Sequence, residues 1–271
     1  MTRELAREPA DTFRTFGFVV LRGFFDPGPL AAEIDSVLAD GLCTRHSDVS
    51  GTRFQYVPMM TAQTPESLSL LDRAEQVAAA LLEGPVLPTR AKGVRYFGET
   101  SWHTDSEGLL LSVGALAYLE PVGAESGALR VLPGSQHPQF GNAIRAVGAA
   151  TLTASPLPAH VIATEPGDLI FLDERLFHAS VGGETRRQWR ADFVKAPVGP
   201  EAVRRTKAYF ANIYPADWDG GYDVDQFPTY GPDWLASNRP AVAQLEALGV
   251  YELAAAQEAF MRSQRRASVI E

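Results

Sequence analysis

The chain has 271 residues, 45% hydrophobic and 21% charged, with 24 basic against 33 acidic side chains and a formal charge of −9. That length suits one large domain or two small ones with a sizeable core. The composition excludes a collagen-like or disordered chain, and the acidic balance argues against a nucleic-acid or anionic-membrane partner, which needs a basic excess.

No apolar run approaches the ~20 residues of a membrane span. The opening MTRELAREPA lacks the apolar centre of a secretory signal. The one cysteine, Cys43, excludes an internal disulfide framework and a cysteine-rich metal site, and reads as a small buried hydrophobe. A cytoplasmic protein is expected.

In chain order, Asp11 to Leu21 is a short amphipathic stretch leading into the strand-like run FGFVVL. FFDPGPLAAEIDSVLADG predicts a helix with Asp26 at its N-cap, Pro27 in the first turn and Gly41 past its end. Leu30, Ile34, Val37 and Leu38 fall on its core face. Residues 43–64 read as irregular and polar, and residues 65–84 as a second helix. From Val86 to about Pro197, short apolar runs alternate with Gly, Pro and Asp turns: GLLLSVGALAYLE, ALRVLPGS, HVIAT, DLIFL and QWRADFV. Strands at this spacing predict a β-sandwich or barrel. After Pro197 the pattern turns helical again, broken by the acidic, aromatic segment Asn212–Trp234. At 23 residues that segment exceeds an ordinary connection and reads as a candidate lid or binding loop. Two helices follow. With no linker in sight, the expectation is a single domain, 1–271. It comprises a helical N-terminal flank (1–85), a β core (about 86–197) and a C-terminal loop with helices (198–271).

The chemistry concentrates in SWHTD, residues 101–105. His103 and Asp105 are two apart, and on a strand residues i and i+2 face the same way. His178, in PGDLIFLDERLFHAS, supplies a third ligand. Two imidazoles and one carboxylate are the ligand set of non-haem Fe(II) oxygenases, which leaves coordination positions open for co-substrate and O2. His46 and His160 lack such a pattern, and His137 reads as structural. No nucleophile elbow, P-loop or papain-like cysteine signature is present.

Five segments together resemble the phytanoyl-CoA dioxygenase family of Fe(II)/2-oxoglutarate oxygenases: FGFVVLRGFFDPGPLAAEI, WHTD, SGALRVLPGSQHP, PGDLIFLDERLFHAS and RRQWRADF. The resemblance implies a mainly β fold with flanking helices around a double-stranded β-helix (jelly-roll, cupin-like) core. It implies Fe(II) held by His103, Asp105 and His178. It also implies 2-oxoglutarate as co-substrate, decarboxylated to succinate and CO2, and a small-molecule substrate oxidised with O2. Hydroxylation is the default where the carboxylate ligand is kept, with desaturation or ring formation starting alike. Substrates across the family include acyl-CoA, amino-acid, phosphonate and natural-product compounds.

Ser180, two residues past the distal histidine, is expected to help hold 2-oxoglutarate. A basic residue beyond it is expected to take the distal carboxylate. Arg186, Arg187 and Arg190 compete for that role. On an alternating strand Arg187 shares a face with Trp189, Ala191 and Phe193, while Arg186, Gln188, Arg190 and Asp192 form a polar face. Taking the apolar face as the one pointing into the barrel selects Arg187, with Arg190 second. Lys92 and Arg95 are further candidates on the approach to WHTD. Candidate substrate contacts are Arg53, Gln55, Tyr56, Tyr96, Trp189 and Trp218. Two other readings keep the same fold: a cupin-like metal dioxygenase without 2-oxoglutarate, and a non-enzymatic jelly-roll binding module.

Overall fold

The computed structural model describes residues 7–38, 45–46, 53–106, 110–147, 157–218 and 222–268. Cys43 and Gly41 lie outside these residues, as does the side chain of His46. Two antiparallel sheets make the body. Eleven strands are described: β1 (Phe18–Leu21), β2 (Arg45–His46), β3 (Arg53–Pro58), β4 (Val86–Phe97), β5 (Thr100–His103), β6 (Ser112–Tyr118), β7 (Ser126–Val131), β8 (His160–Ile162), β9 (Leu169–Asp173), β10 (His178–Gly182) and β11 (Thr185–Lys195). The larger sheet runs β1-β9-β6-β11-β4-β3-β2 and the smaller β5-β10-β7-β8. The helices are α1 (Arg7–Phe16), α2 (Pro27–Leu38), α3 (Pro65–Leu81), α4 (Pro138–Val147), α5 (Pro200–Ile213), α6 (Pro232–Leu235), α7 (Pro240–Ala247) and α8 (Val250–Ser268). This is the double-stranded β-helix with flanking helices. Among the described residues no helix is long and apolar enough to cross a membrane.

Strand alternation sorts the core into two layers. Val113, Ala115 and Ala117 of β6, Leu169 and Phe171 of β9, and Trp189, Ala191 and Phe193 of β11 belong to the cluster that also contains Leu30 and Ile34 of α2, Leu70, Leu71, Ala74 and Ala78 of α3, and Phe210 of α5. Their neighbours Leu116, Tyr118, Ile170 and Leu172 pack between the sheets with Leu129, Val131 and Ile162. The larger sheet is thus buried on both faces, by helices outside and by the smaller sheet inside. Gly93 of β4 permits the close approach of α2: a Cβ there would stand 2.8 Å from Met59 Sδ and 3.3 Å from Ile34 Cγ1.

Helix ends follow local chemistry. Asp26 Oδ1 accepts from Gly28 N at 3.1 Å, capping α2. At α3, Thr64 makes no side-chain cap, and Glu33 of α2 takes its place by accepting from Glu66 N and Ser67 N at 2.9 Å each.

Two expectations change here. Residues 43–64 are not simply irregular: β3 pairs with β4 and extends the larger sheet, its alternation obscured by the polar Arg53 and Gln55 on one face. The stretch 86–197 also contains α4 among its strands.

Trp189 is fully buried, and its Nε1 donates to Ser67 Oγ at 2.8 Å, joining β11 to α3. Trp189→Ala is expected to destabilise the fold by about 3–5 kcal/mol through cavity formation, read as a lower urea midpoint.

Asp168 fastens the β1 end to β9. It accepts from Gly23 N at 2.9 Å, Glu165 N at 3.0 Å and Arg22 Nη1 at 2.6 Å. Burial alone would raise its pKa, but these donors outweigh burial and lower it. A carboxylate depressed in the fold stabilises above its unfolded pKa of ~3.9 and loses that contribution as pH falls through the folded value. Asp168→Ala should therefore cost about 1–3 kcal/mol near pH 7, with the gap to wild type shrinking when urea unfolding is repeated at about pH 3.

Candidate metal centre and cavity

His103 ends β5 and His178 begins β10, directly opposite it in register. Their rings stand 4.2 Å apart by centroid. Asp105 lies past the strand end, so alternation alone does not aim it. Its N–H donates to the Glu174 carbonyl at 2.9 Å, as does Ser106 N at 3.0 Å, and this anchored turn brings the carboxylate back to the histidines. His103 Nε2 is 3.5 Å from Asp105 Oδ1 and His178 Nε2 is 3.5 Å from Asp105 Oδ2. One ligand atom of each residue lies within 4.8 Å of the others.

The donor set fits a metal. His103 Nδ1 lies 2.8 Å from the Ser101 carbonyl and His178 Nδ1 2.9 Å from the Leu176 carbonyl. Each carbonyl can accept only from an Nδ1–H, which fixes the tautomer and leaves both Nε2 lone pairs on the same point. Burial, outweighing the nearby Asp105, pushes the His178 pKa down to about 4, so its imidazole is neutral at pH 7, as a ligand must be. Burial opposes the Asp105 charge, but the Arg190 guanidinium holds the carboxyl well below its usual range. Two imidazole nitrogens and one carboxylate oxygen suit a non-haem iron.

Behind this centre lies a cavity of about 660 Å³, lined from the larger sheet by Phe54, Tyr56, Arg90, Lys92, Val94, Tyr96, Leu116, Tyr118, Arg186, Gln188 and Arg190. The smaller sheet adds Thr100, His103, Leu129, His178, Ala179 and Ser180, and the C-terminal region adds Asn212, Ile213, Pro215 and Trp218. Arg190 Nη2 donates to Asp105 Oδ2 at 2.8 Å and its Nε to Asp192 Oδ1 at 2.7 Å. Lys92 Nζ lies 3.5 Å from Asp192 Oδ2, and burial moves its pKa down to about 8. Arg186 Nη2 donates to Ser180 Oγ at 2.5 Å and Nη1 to the Gly98 carbonyl at 2.7 Å.

The sequence candidates divide accordingly. His103, Asp105, His178, Ser180, Arg190, Lys92, Tyr56, Tyr96 and Trp218 line the cavity. Arg187 does not. It faces the helix side, with its Nη1 2.5 Å from Asp35 Oδ1 and its Nε 2.6 Å from Glu120 Oε1. The apolar face of β11 meets the helices, and the polar face lines the barrel interior, where Arg186 stands. The register Arg187↔Arg95↔Gln55 puts Arg95 and Gln55 on that same outer face, away from the cavity. Trp189 is held in the helix-side core, and Arg53 is exposed with its guanidinium 4.6 Å from the Phe97 ring. His137 sits outside the cavity, Nε2 3.3 Å from the Thr15 carbonyl, and His160 stacks on Phe18.

The described part of Asn212–Trp234 is no detached lid: Tyr214, Tyr222, Phe227, Tyr230 and Trp234 are buried core. The Tyr230 hydroxyl donates to the Thr89 carbonyl and accepts from the Tyr214 hydroxyl at 2.8 Å. Arg90, Tyr118 and Gln188 line the cavity beyond the residues expected from sequence; the sequence signal for Arg90 is its alternation with Lys92, Val94 and Tyr96 along one strand.

A jelly roll carrying two imidazoles and a carboxylate at the edge of a polar cavity defines a class: non-haem iron, 2-oxoglutarate-dependent oxygenases. The family model described as Phytanoyl-CoA dioxygenase (PhyH) matches residues 71–191, the segment that holds the triad, Ser180, Arg186 and Arg190, and over that segment the chain is similar to that family. No curated protein matches the sequence. Among solved structures, the epimerase SnoN in complex with Fe3+, alpha ketoglutarate and nogalamycin RO superposes with a TM-score of 0.57 at 21% identity, over 74% of this chain and 88% of that one. The carbocyclase SnoK from nogalamycin biosynthesis gives 0.56 at 16%, over 73% and 85%. HygX from Streptomyces hygroscopicus, with nickel, 2-oxoglutarate and hygromycin B bound, gives 0.54 at 19%, over 72% and 88%. At these identities the likeness is one of fold.

Proposed function

We propose that the chain oxidises a small-molecule metabolite at the expense of 2-oxoglutarate and O2, with hydroxylation as the default outcome. His103, Asp105 and His178 would hold Fe(II), and Arg186 with Ser180 would receive the distal carboxylate of 2-oxoglutarate. The observation that carries this reading is a single cavity lined both by three convergent donors and by a buried arginine whose guanidinium is hydrogen-bonded to Ser180. When bound, the iron supplies the redox chemistry, and 2-oxoglutarate is converted to succinate and CO2.

The remaining work falls to the chain. The carbonyls of Ser101 and Leu176 orient the two ligand imidazoles. Arg190 holds the Asp105 carboxylate in its ionised form. Arg186 offers a planar fork suited to a carboxylate. The cavity volume falls within the range of small-molecule sites and supports a metabolite as substrate.

The test is a metabolite screen scored by succinate and CO2 release from the Fe(II)-loaded protein. Release that depends on 2-oxoglutarate and on one compound class supports the reading. Metal-dependent O2 uptake without 2-oxoglutarate would instead favour a cupin-like dioxygenase, and a metal-free ligand complex without turnover a binding module.

A further inference from the structure

Four cationic side chains line the cavity: Arg90, Lys92, Arg186 and Arg190. Three are accounted for. Arg190 pairs with Asp105 and Asp192, and Lys92 pairs with Asp192. Arg186 is bonded to Ser180 and Gly98 and stands where the proposed co-substrate would end. Arg90 has no such partner. Its Nε and Nη1 are buried without a hydrogen bond, and it forms no ion pair among the described residues. Its guanidinium lies 5.0 Å from the Tyr56 ring and 5.1 Å from the Tyr214 ring, with Trp218 stacked on Tyr56 at 5.1 Å. Aromatic faces satisfy the faces of a guanidinium but not its edge N–H donors, and buried donors left unpaired cost free energy. The neighbouring charge is Lys92, of the same sign.

Position separates Arg90 from the co-substrate. The cavity-facing residues of β4 run Tyr96, Val94, Lys92, Arg90, about 7 Å apart along the strand. Arg186 is paired opposite Tyr96 and Arg190 opposite Lys92. Arg190 bonds Asp105, so the metal centre is level with Lys92. Arg186 then lies on one side of it and Arg90 on the other. The register between β4 and β11 shifts just beyond Ala191, placing Thr89 and Arg90 in a bulge, a device that re-aims side chains. The Thr89 carbonyl is held there by the Tyr230 hydroxyl, which in turn accepts from the Tyr214 hydroxyl at 2.8 Å. Arg90 is thus fixed before anything binds.

We propose that Arg90 is a substrate-binding residue that receives an anionic oxygen group, a carboxylate or a phosphate, borne by a substrate whose ring or apolar arm lies against Tyr56 and Trp218, which line the cavity beside it. The proposal rests on the 2-oxoglutarate reading, because that reading assigns the other anion of the cavity to Arg186. It narrows the substrate to compounds with an acidic group on the side of the metal away from the co-substrate.

The test uses full-length protein loaded with Ni(II) and saturating 2-oxoglutarate, titrated calorimetrically with benzoate, phenyl phosphate and the neutral benzamide. One or both anions should bind at least about tenfold more tightly than benzamide, since the neutral amide offers the guanidinium one uncharged acceptor where the anions offer two charged oxygens. The tighter anion distinguishes a carboxylate from a phosphate substrate. Arg90→Gln should remove that preference and leave 2-oxoglutarate affinity unchanged. Arg90→Lys, which keeps the charge but not the planar fork, should fall between. Benzamide binding as well as both anions, no saturable binding of either anion, or an unaltered preference in Arg90→Gln would each overturn the proposal. So would loss of 2-oxoglutarate binding in Arg90→Gln, which would move Arg90 to the co-substrate. Failure of wild-type protein to bind 2-oxoglutarate with Ni(II) would instead overturn the underlying reading, and is measured first.

Discussion

Alanine in place of His103, Asp105 or His178 is expected to abolish Fe(II)-dependent release of succinate while the protein stays folded. Each residue offers one of three donors converging within 4.8 Å, and among the described residues the group has no fourth donor to replace it. Loss of an outer partner that merely orients a ligand costs about 10–100-fold in metal affinity, so loss of the ligand itself should exceed that. None of the three belongs to the hydrophobic clusters that hold the sheets together. Asp105→Ala also leaves Arg190 its second carboxylate, Asp192. Circular dichroism should therefore change little, while metal titration and succinate assays change together. Wild-type turnover with wild-type iron content in any one variant would remove that residue from the centre.

The second large effect separates two adjacent arginines. Arg186→Ala should weaken 2-oxoglutarate by about 2–5 kcal/mol, or roughly 30- to several-thousand-fold, the cost of truncating one side of a buried charged pair. Arg186→Lys should recover part of this, because the charge returns without the planar fork. Arg187→Ala should leave the 2-oxoglutarate KM near wild type. Arg187 binds Asp35 and Glu120 on the helix side with its side chain 24% exposed, and so contributes about 1 kcal/mol or less to stability. A raised KM in Arg187→Ala with none in Arg186→Ala would reverse the assignment of faces on β11.

Much of the protein was legible in its sequence because the deciding features are local. The H-x-D pair, the distal His178 and the serine two residues on are short motifs, and the structure brings the three donors together with Ser180 lining the same cavity. Asp26 and Pro27 mark a helix start by hydrogen-bonding and dihedral preference alone. The alternation of β11 was legible too: Arg186, Gln188, Arg190 and Asp192 do share one face, and Arg187, Trp189, Ala191 and Phe193 the other. What alternation does not contain is which layer each face meets. In a sheet covered on both sides, an apolar face goes to the most apolar neighbour, here the helices α2, α3 and α5. The polar face is buried all the same, because Arg190, Asp192, Lys92 and Asp105 neutralise one another across strands that lie far apart in sequence. The same holds for the turn that aims Asp105, made by the Glu174 carbonyl 69 residues on, and for the aromatic segment after Asn212. Its composition suggests an exposed lid, yet its Tyr230 hydroxyl finds the Thr89 carbonyl, and its rings become core. Such partners come from distant segments, so only the packed tertiary structure decides them.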